Sequence, residues 1–556
     1  MEINKLLTEK IKLSNTSSIK FTQPKELKWW HDATTYQIWI RSFYDSNGDG
    51  YGDFKGISEK LNYLEELGIN SILLSPIFES PSYHGYDASD FYKVESDYGT
   101  MSDFESLLKN AKLRNIKVII DLAVNHVSEN HPWFLKSLEK DPLYDDYFIW
   151  KEQLPEQNGT AWLNENNPQA VWHKKEKRDD WYYAVFGWTQ PDLNYKNPMV
   201  VEELKKLTKF WLDKGIDGFR LDAIRYVIEE ESENQQADTS SNKKFLVDFT
   251  AYIKSINPEA VLIGEVAANT QTIGQYYQGN NSIDTAFDFA LVDKLTQLFA
   301  PRSVYLDSGN PERSIDHESL KQDIWQVLSN RSRTTAPSHF FSSFQSNHDS
   351  NRLASYFDKE DGNQLRILSS LFLTAPFSPY IYYGEEIAMQ QKDTSDVVYQ
   401  RALMQWDGSP NAGFNSTGKR WLDNKKWFWY GDFSPWWEKY WSSIENREMQ
   451  TVHFQKRNKN SLLNHYKNLI SIRKSDNVLK FPDKLDLFKS TGNAWVVRYS
   501  QGDKYRWVIV NLDSENKYEL SLPDELNGNF HELYRDTAKK LSNTLILNPA
   551  DILILK

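Results

Sequence analysis

The sequence predicts a (β/α)8 TIM barrel carrying an inserted domain after its third strand and followed by a C-terminal antiparallel β-sandwich. Three observations predict this. Between Tyr36 and Arg473, eight short apolar or aromatic runs alternate with segments of helical period, which argues for a closed barrel over an open sheet. Between the third and fourth runs the chain is rich in tryptophan (Trp133, Trp150, Trp162, Trp172, Trp181) and has no strong helical period. Beyond residue 478 the pattern changes to short strands punctuated by turn residues such as Gln501-Gly502. The expected division is an N-terminal arm at 1–27, the barrel at 28–125 and 188–478, an inserted domain at 126–187 and a C-terminal β domain at 479–556.

The eight candidate strands are Tyr36 to Ile40, Ser71 to Leu74, Val118 to Asp121, Gly218 to Leu221, Val261 to Gly264, Asp284 to Phe289, Phe340 to Gln345 and Tyr380 to Tyr383. Their continuous apolar character suits parallel strands buried on both faces. Between them, Ile57, Leu61, Leu64 and Leu67 form one helical stripe ending at Gly68. Val200, Leu204, Leu207 and Trp211 form another ending at Gly215. Leu462 to Ile470 supplies the last barrel helix. Ala494 to Tyr499, Tyr505 to Asn511, Thr544 to Leu547 and Ile552 to Leu555 are the strands of the last domain.

Composition narrows the function. A formal charge of -12 disfavours a nucleic-acid partner, and no apolar run approaches the ~20 residues of a membrane span. With no cysteine there are no disulfides, thiolate metal sites or thiol nucleophiles. Residues 1–20 contain no apolar run of signal-peptide type, so a cytoplasmic location is expected. Aromatic residues make up 14% of the chain, and flat amphipathic rings suit pockets for hydroxylated ligands.

In a barrel, chemistry gathers where the strands end. Here the ends read Asp121-Leu-Ala-Val-Asn125-His126, Gly218-Phe-Arg220-Leu-Asp222, Gly264-Glu265 and Asn347-His348-Asp349. Each acid alone reads as a structural ion pair; together they supply what acetal cleavage needs, a proton donor and an anion flanking a developing oxocarbenium ion. Arg220, two residues before Asp222, lies on the same strand face and can hold it ionised, while like charges at close range push another carboxyl upward.

A second cluster, Asp45-Ser-Asn47-Gly-Asp49-Gly-Tyr51-Gly-Asp53, sets oxygen ligands at alternate positions with glycines allowing a tight wrap, as a hard cation requires. It begins like an EF-hand, but Gly56 stands where the bidentate Glu would be, so Asp53 must serve. Structural calcium on Asp45, Asn47, Asp49, Tyr51 and Asp53 is expected, with no organic cofactor.

The four strand-end stretches resemble the signature regions of the alpha-amylase family of glycoside hydrolases (family 13). Gln190-Pro-Asp-Leu-Asn194 resembles a fifth region typical of its oligo-1,6-glucosidase and neopullulanase side. The resemblance runs from about Trp29 to the C-terminus and implies Asp222 as nucleophile, Glu265 as general acid and base, and Asp349 as the third carboxylate clamping sugar hydroxyls. It implies that His126 and His348 bond the sugar in subsite -1 and that Tyr86, in Ser82-Tyr-His84-Gly-Tyr86-Asp87, lies under it. It further implies that Arg401 meets Asp87 over the non-reducing end as in exo-acting glucosidases, which would confine cleavage to terminal units, while the same loop also resembles that of maltooligosaccharide-forming amylases with an open groove. The calcium loop resembles that of oligosaccharide-type members. The chain departs from many alpha-amylases in having Arg225-Tyr226 where Lys-His is common, which removes the histidine of their inter-domain calcium site. Strict alpha-1,6 enzymes of the family usually carry Val after the nucleophile; Ala223 points to alpha-1,4 bonds.

The expectation is a retaining alpha-glucan or alpha-glucoside hydrolase acting mainly on alpha-1,4 bonds of malto-oligosaccharides. The alternatives are an alpha-1,6-glucosidase, a transglycosylase or isomerase such as trehalose synthase, and a catalytically silent binding subunit of another class.

Overall fold

The computed structural model describes residues 9–11, 13–24, 26–156, 159, 167–230, 236–297, 317–357, 362–393, 396–424, 436–444, 446–490, 493–521, 532–535, 539–541 and 544–556. Eight parallel strands close into a barrel: β1 (Thr35–Ile38), β2 (Ser71–Leu74), β3 (Lys117–Ala123), β4 (Gly218–Asp222), β5 (Val261–Gly264), β6 (Thr285–Phe287), β7 (Phe341–Phe344) and β8 (Pro379–Tyr382). Closure is made by β8 on β1, with Tyr380 opposite Thr35 and Tyr382 opposite Gln37. All eight runs singled out in the sequence are strands. The first is shorter than expected, because Ile40 opens a short helix, Ile40–Phe43.

Period-two alternation divides each strand between two cores. Leu73, Ile119, Val261, Ile263, Phe344 and Tyr380 pack together in the barrel interior. Their neighbours Ile72, Val118, Ile120, Phe219, Leu221 and Leu262 face outward and pack with Leu204, Leu207 and Trp211 of the helix Pro198–Lys214 and with Phe104 and Leu107 of the helix Met101–Leu113. The helix stops are as anticipated: Gly68 and Gly215 adopt φ of 96° and 100°, the left-handed cap that glycine accepts without a Cβ penalty.

The inserted segment forms a three-stranded antiparallel sheet, with Arg178–Tyr183 between Trp150–Lys151 and Trp172–Lys175. A seven-residue helix, Pro132–Leu138, precedes it. Trp162 lies outside the described residues. The C-terminal domain is a sandwich of a six-stranded and a four-stranded sheet. Its central strands Ala494–Gln501, Lys504–Asn511 and Ile552–Leu555 are buried on both faces. Trp507, Ile509, Leu553 and Leu555 meet Leu520, Leu545 and Leu547 of the second sheet, whereas Val508, Val510, Ile552 and Ile554 belong to the main core.

The N-terminal arm does not stand apart. Leu13–Lys20 pairs antiparallel along Lys484–Ser490 and forms an outer strand of the six-stranded sheet, with Ile19 buried and Ser18 Oγ donating to Asp486 Oδ1 at 2.5 Å. Glu9–Ile11 pairs parallel with Tyr518–Ser521 in the other sheet.

Behind the eighth strand, Glu385 and Glu386 are buried together. Glu385 accepts from Ser346 Oγ at 2.9 Å and Tyr466 Oη at 3.0 Å, joining the loop after β7 to the helix Leu462–Ser475. Burial, with Glu386 adjacent, pushes its carboxyl from 4.5 up to about 8. Between these values the folded chain holds a proton that the unfolded chain releases, so this group's contribution is full below about pH 4.5 and is lost as pH rises through 8. Glu385→Gln is therefore expected to gain stability relative to the parent steadily from pH 5 to pH 8, as read from urea unfolding across that range.

Candidate active site

The alternation that fills the barrel also aims its acids. Asp121 on β3 and Arg220 on β4 stand directly opposite in the ladder, both inward, and Ile263 flanks Arg220 on β5. Two residues further along the same faces come Asp222 and Glu265. Arg220 is 2% exposed, and its Nη1 donates to Asp121 Oδ1 at 2.7 Å and to Asp222 Oδ1 at 2.6 Å. Its Nη2 lies 3.1 Å from Glu265 Oε1. One guanidinium thus serves three carboxylates from three adjacent strands. The other oxygen of Glu265, Oε2, accepts the N–H of Ala223 at 3.1 Å.

Across the mouth, Asp349 forms the second acidic group. His348 Nε2 lies 2.9 Å from Asp349 Oδ2, and Arg401 Nη2 lies 3.1 Å from Oδ1. His348 is itself fixed by Gln37 Nε2 at Nδ1 (2.9 Å), by stacking on Trp39 and by the Tyr86 ring, which lies parallel to it with centroids 5.5 Å apart. Tyr86 donates to Asp121 Oδ2 at 2.9 Å, so the phenol links the two acidic groups. His126 is buried against Phe186, and neither of its ring nitrogens has a hydrogen-bond partner among the described residues.

Arg401 does not meet Asp87, contrary to expectation. Its guanidinium is held over Trp39 at 4.5 Å, with Nη1 donating to Tyr83 Oη at 3.1 Å and Nε to the His348 carbonyl at 3.1 Å, which turns Nη2 toward Asp349. Asp87 is buried in its own turn, accepting from Ser80 Oγ at 2.8 Å and from Ser82 Oγ. Local hydroxyls satisfy Asp87 without an arginine.

The electrostatics follow from the count: Asp121, Asp222, Glu265 and Asp349 face only two guanidinium groups. Burial raises the Asp222 carboxyl well above its usual range, opposed by Arg220 and reinforced by Glu265 and Asp121. Asp121 is likewise raised by burial against the pull of Arg220. Burial thus raises Asp222 and Asp121 together, and because they share Arg220 their titration belongs to the pair. Burial acts on Asp349 too, but His348 and Arg401 outweigh it and hold this carboxyl below its usual range. Burial pushes His126 down to about 3, so its ring is neutral, with one nitrogen to donate and one to accept. The cleft thus combines a carboxyl held low, carboxyls raised by burial and polar groups left for a ligand, which suits cleavage of a hydroxylated acetal.

In the acidic loop, Asp45 accepts the N–H groups of Gly48 (2.7 Å) and Gly50 (2.8 Å), and Asp53 caps the helix Phe54–Leu67 through Gly56 N at 2.7 Å. Asn47 and Asp49 bond each other. Tyr51 accepts from Asn424 through its hydroxyl. The donors are hard oxygens of the kind calcium takes, but the loop's own N–H groups occupy several of them. Among the described residues no three acids or histidines converge as a metal cluster.

Several residues escaped the sequence reading. Asp121 was seen in its motif but given no role, though it anchors both Arg220 and Tyr86. Its signal was the ladder position opposite Arg220. Gln37 shows as a large polar residue, beside Thr35, on the inward face of a buried strand. Trp39, Tyr83 and Phe186 gave none, because aromatic residues are frequent throughout the chain.

Ala223 follows Asp222 with φ of 55°, a left-handed conformation that sends its N–H to Glu265. For a side chain with a branched Cβ that conformation carries more steric strain. Ala223→Val is expected to cost roughly 1–2 kcal/mol in stability, and Ala223→Gly to be neutral or stabilising, as measured by denaturant unfolding of the three proteins.

Residues 37–481 match the alpha-amylase catalytic domain. The chain is 32% identical to Alpha-amylase 3 of Dictyoglomus thermophilum over 95% of its own length and 94% of the relative's. It is 30% identical to the oligo-1,6-glucosidase of Parageobacillus thermoglucosidasius over 93% and 95%. The solved structure of the alpha-amylase from H. orenii superposes with a TM-score of 0.75 at 31% identity, covering 94% of this chain and 99% of that one. With its closed barrel, its carboxylates at the strand ends and this similarity along nearly its whole length, the chain belongs to the alpha-amylase family and is a glycoside hydrolase of the alpha-glucosidase and amylase type.

Proposed function

We propose that this enzyme cleaves mainly alpha-1,4-glucosidic bonds of starch-derived malto-oligosaccharides with retention of configuration, through a covalent glucosyl intermediate. The observation that carries the reading is the pairing of Asp222 and Glu265 on one buried guanidinium, at the ends of adjacent strands. A retaining pair requires carboxyls ~5–5.5 Å apart, and groups sharing a single planar cation are held close. Asp222, fixed by Arg220, attacks the anomeric carbon while a proton from the cluster passes through Glu265 to the departing glycosidic oxygen. Glu265, now ionised, takes a proton from water, and the resulting hydroxide equivalent releases the sugar from Asp222. His126 and Asp349 are assigned to the sugar hydroxyls and Tyr86 to its apolar face. Arg401 acts by orienting Asp349.

Alpha-1,6 cleavage is the second reading, favoured by similarity to a protein named oligo-1,6-glucosidase. Ala223 supports the first. Product analysis separates them: maltoheptaose should be consumed much faster than isomaltose, and the reverse order would replace the first reading by the second. Glu265→Gln should lower turnover by about 10²–10⁴-fold, and Asp222→Asn should lower it at least as far, with unchanged melting curves. NMR of the first-formed product should give the alpha anomer; a beta product would remove Asp222 from the nucleophile role.

Calcium in the loop of Asp45, Asn47, Asp49, Tyr51 and Asp53 belongs to the same reading. Two carboxylates and a carboxamide at alternate positions, with a carbonyl from Tyr51 and a closing Asp53, suit its coordination. When bound, calcium would cross-link the loop and stabilise the native state without touching the reacting bond. Treatment with a chelator is expected to lower the melting temperature, and added calcium to restore it in proportion to the logarithm of its concentration. An unchanged melting curve together with metal-free elemental analysis would reduce the loop to a helix-capping turn.

A further inference from the structure

Arg225, in the loop after β4, bonds back onto the loops around it. Its Nη2 and Nε donate to the two oxygens of Asp238 at 2.6 and 3.1 Å, and Nη1 donates to the carbonyl of Ala267. The backbone completes the knot, with Asp238 N donating to Arg225 O at 2.9 Å. Tyr276 Oη donates to Asp238 Oδ1 at 2.6 Å. Arg225 lies three residues past Asp222, and Ala267 two residues past Glu265. Tyr276 follows the helix Thr270–Gln275 that leads away from the Glu265 loop. Asp238 is held at φ of 60°, a conformation the paired contacts keep in place.

The loop after β4 and the loop after β5 are thus tied to each other twice, once by Arg225 on Ala267 and once by Asp238 on Tyr276. The ladder between β4 and β5 ends at Leu221 opposite Gly264, before either catalytic side chain begins. Past that point the Glu265 N–H still bonds the Leu221 carbonyl at 3.1 Å, and Arg225 and the Ala223 N–H add the bonds that hold Glu265 against Asp222 from the loop side. We propose that Arg225, with Asp238 and Tyr276, is a positioning clamp that fixes the general acid Glu265 relative to the nucleophile Asp222. It touches neither substrate nor reacting atoms. The inference rests on the roles proposed for those two carboxylates. A planar fork is needed because one side chain must bond a carboxylate bidentately and a carbonyl at once, which an ammonium cannot do in the same geometry.

Misplacing a proton donor matters most when the leaving group needs the proton. Aryl alpha-glucosides of graded leaving-group acidity therefore separate a positioning defect from general damage. Arg225→Lys and the double variant Arg225→Met with Asp238→Asn, which leaves no unpaired carboxylate, are compared with Tyr276→Phe and with Glu265→Gln. The clamp predicts that the Arg225 variants lose about 10–100-fold in kcat/KM, which reports the step in which the leaving group departs, on phenyl alpha-glucoside and less than about 3-fold on the dinitrophenyl analogue. Tyr276→Phe should show a smaller loss in the same direction. Equal loss on every leaving group, or none, while Glu265→Gln keeps a steep leaving-group dependence, overturns the clamp alone. A flat dependence in Glu265→Gln overturns the acid assignment and the clamp with it. Misfolding of the Arg225 variants leaves Tyr276→Phe, which retains the arginine and Asp238, and its lack of any leaving-group effect would by itself count against the clamp.

Discussion

The structure depends on one buried cation. Arg220 is 2% exposed and lies inside a parallel barrel lined largely by apolar side chains, a position that would be prohibitive without compensation. Three carboxylates from β3, β4 and the loop after β5 supply it. The arrangement is reciprocal: the acids could not crowd together at the strand ends without the guanidinium, and the guanidinium could not be buried without the acids. Burial, with charge left over on the acidic side, raises the carboxyls of Asp222 and Asp121 in the same cluster that stabilises Arg220.

Around that cation the site is built in two layers. The inner layer, Asp121, Arg220 and Tyr86, is held together because each member bonds at least one other, Asp121 and Arg220 from adjacent strands and Tyr86 from the loop after β2. The outer layer, Asp349 with His348 and Arg401, is reached through Tyr86 and is more open, Asp349 being 42% exposed in its side chain. Its carboxyl is held ionised, in contrast to the raised Asp222 and Asp121. The site therefore separates its acids by environment, raising two carboxyls by burial and holding one low by its cationic neighbours.

The barrel was legible because parallel strands buried on both faces read as unbroken apolar runs, and the helix stops because glycine marks the left-handed cap. The N-terminal strand was not. Leu13–Lys20 reads Leu-Ser-Asn-Thr-Ser-Ser-Ile-Lys, mostly polar as befits an outer strand, and its partner lies more than 460 residues away, so no local pattern announces the pairing. The helix Pro132–Leu138 has only seven residues, too few to show a period. At the site, residue types and strand positions were readable from spacing, but the choice of partner was not. Arg401 and Asp87 have opposite charges and sit near the same rim, yet hydroxyls from Ser80 and Ser82 satisfy one and Asp349 takes the other. Which of several acids an arginine meets is decided by the rings and carbonyls that hold its stem, here Trp39, Tyr83 and His348, and these converge from three separate loops.

The same reasoning explains why the loops beyond the ladder need bonds of their own. Strand pairing fixes Arg220, whose neighbours on both sides are in register. It fixes the Glu265 backbone through one last bond, Glu265 N–H donating to the Leu221 carbonyl at 3.1 Å, but not the Glu265 side chain or the turn at Ala223, where the backbone goes left-handed. Those positions are held by side chain to backbone contacts, Ala223 N–H on Glu265 and Arg225 on Ala267, and by the Asp238 and Tyr276 pair behind them. A barrel thus delivers its acids to the rim by register, and the last ångström of their placement comes from polar contacts between consecutive loops. That division lets loops vary between relatives without disturbing the strands, and it makes the first few residues after each strand, more than the strands themselves, the natural place for specificity to be set.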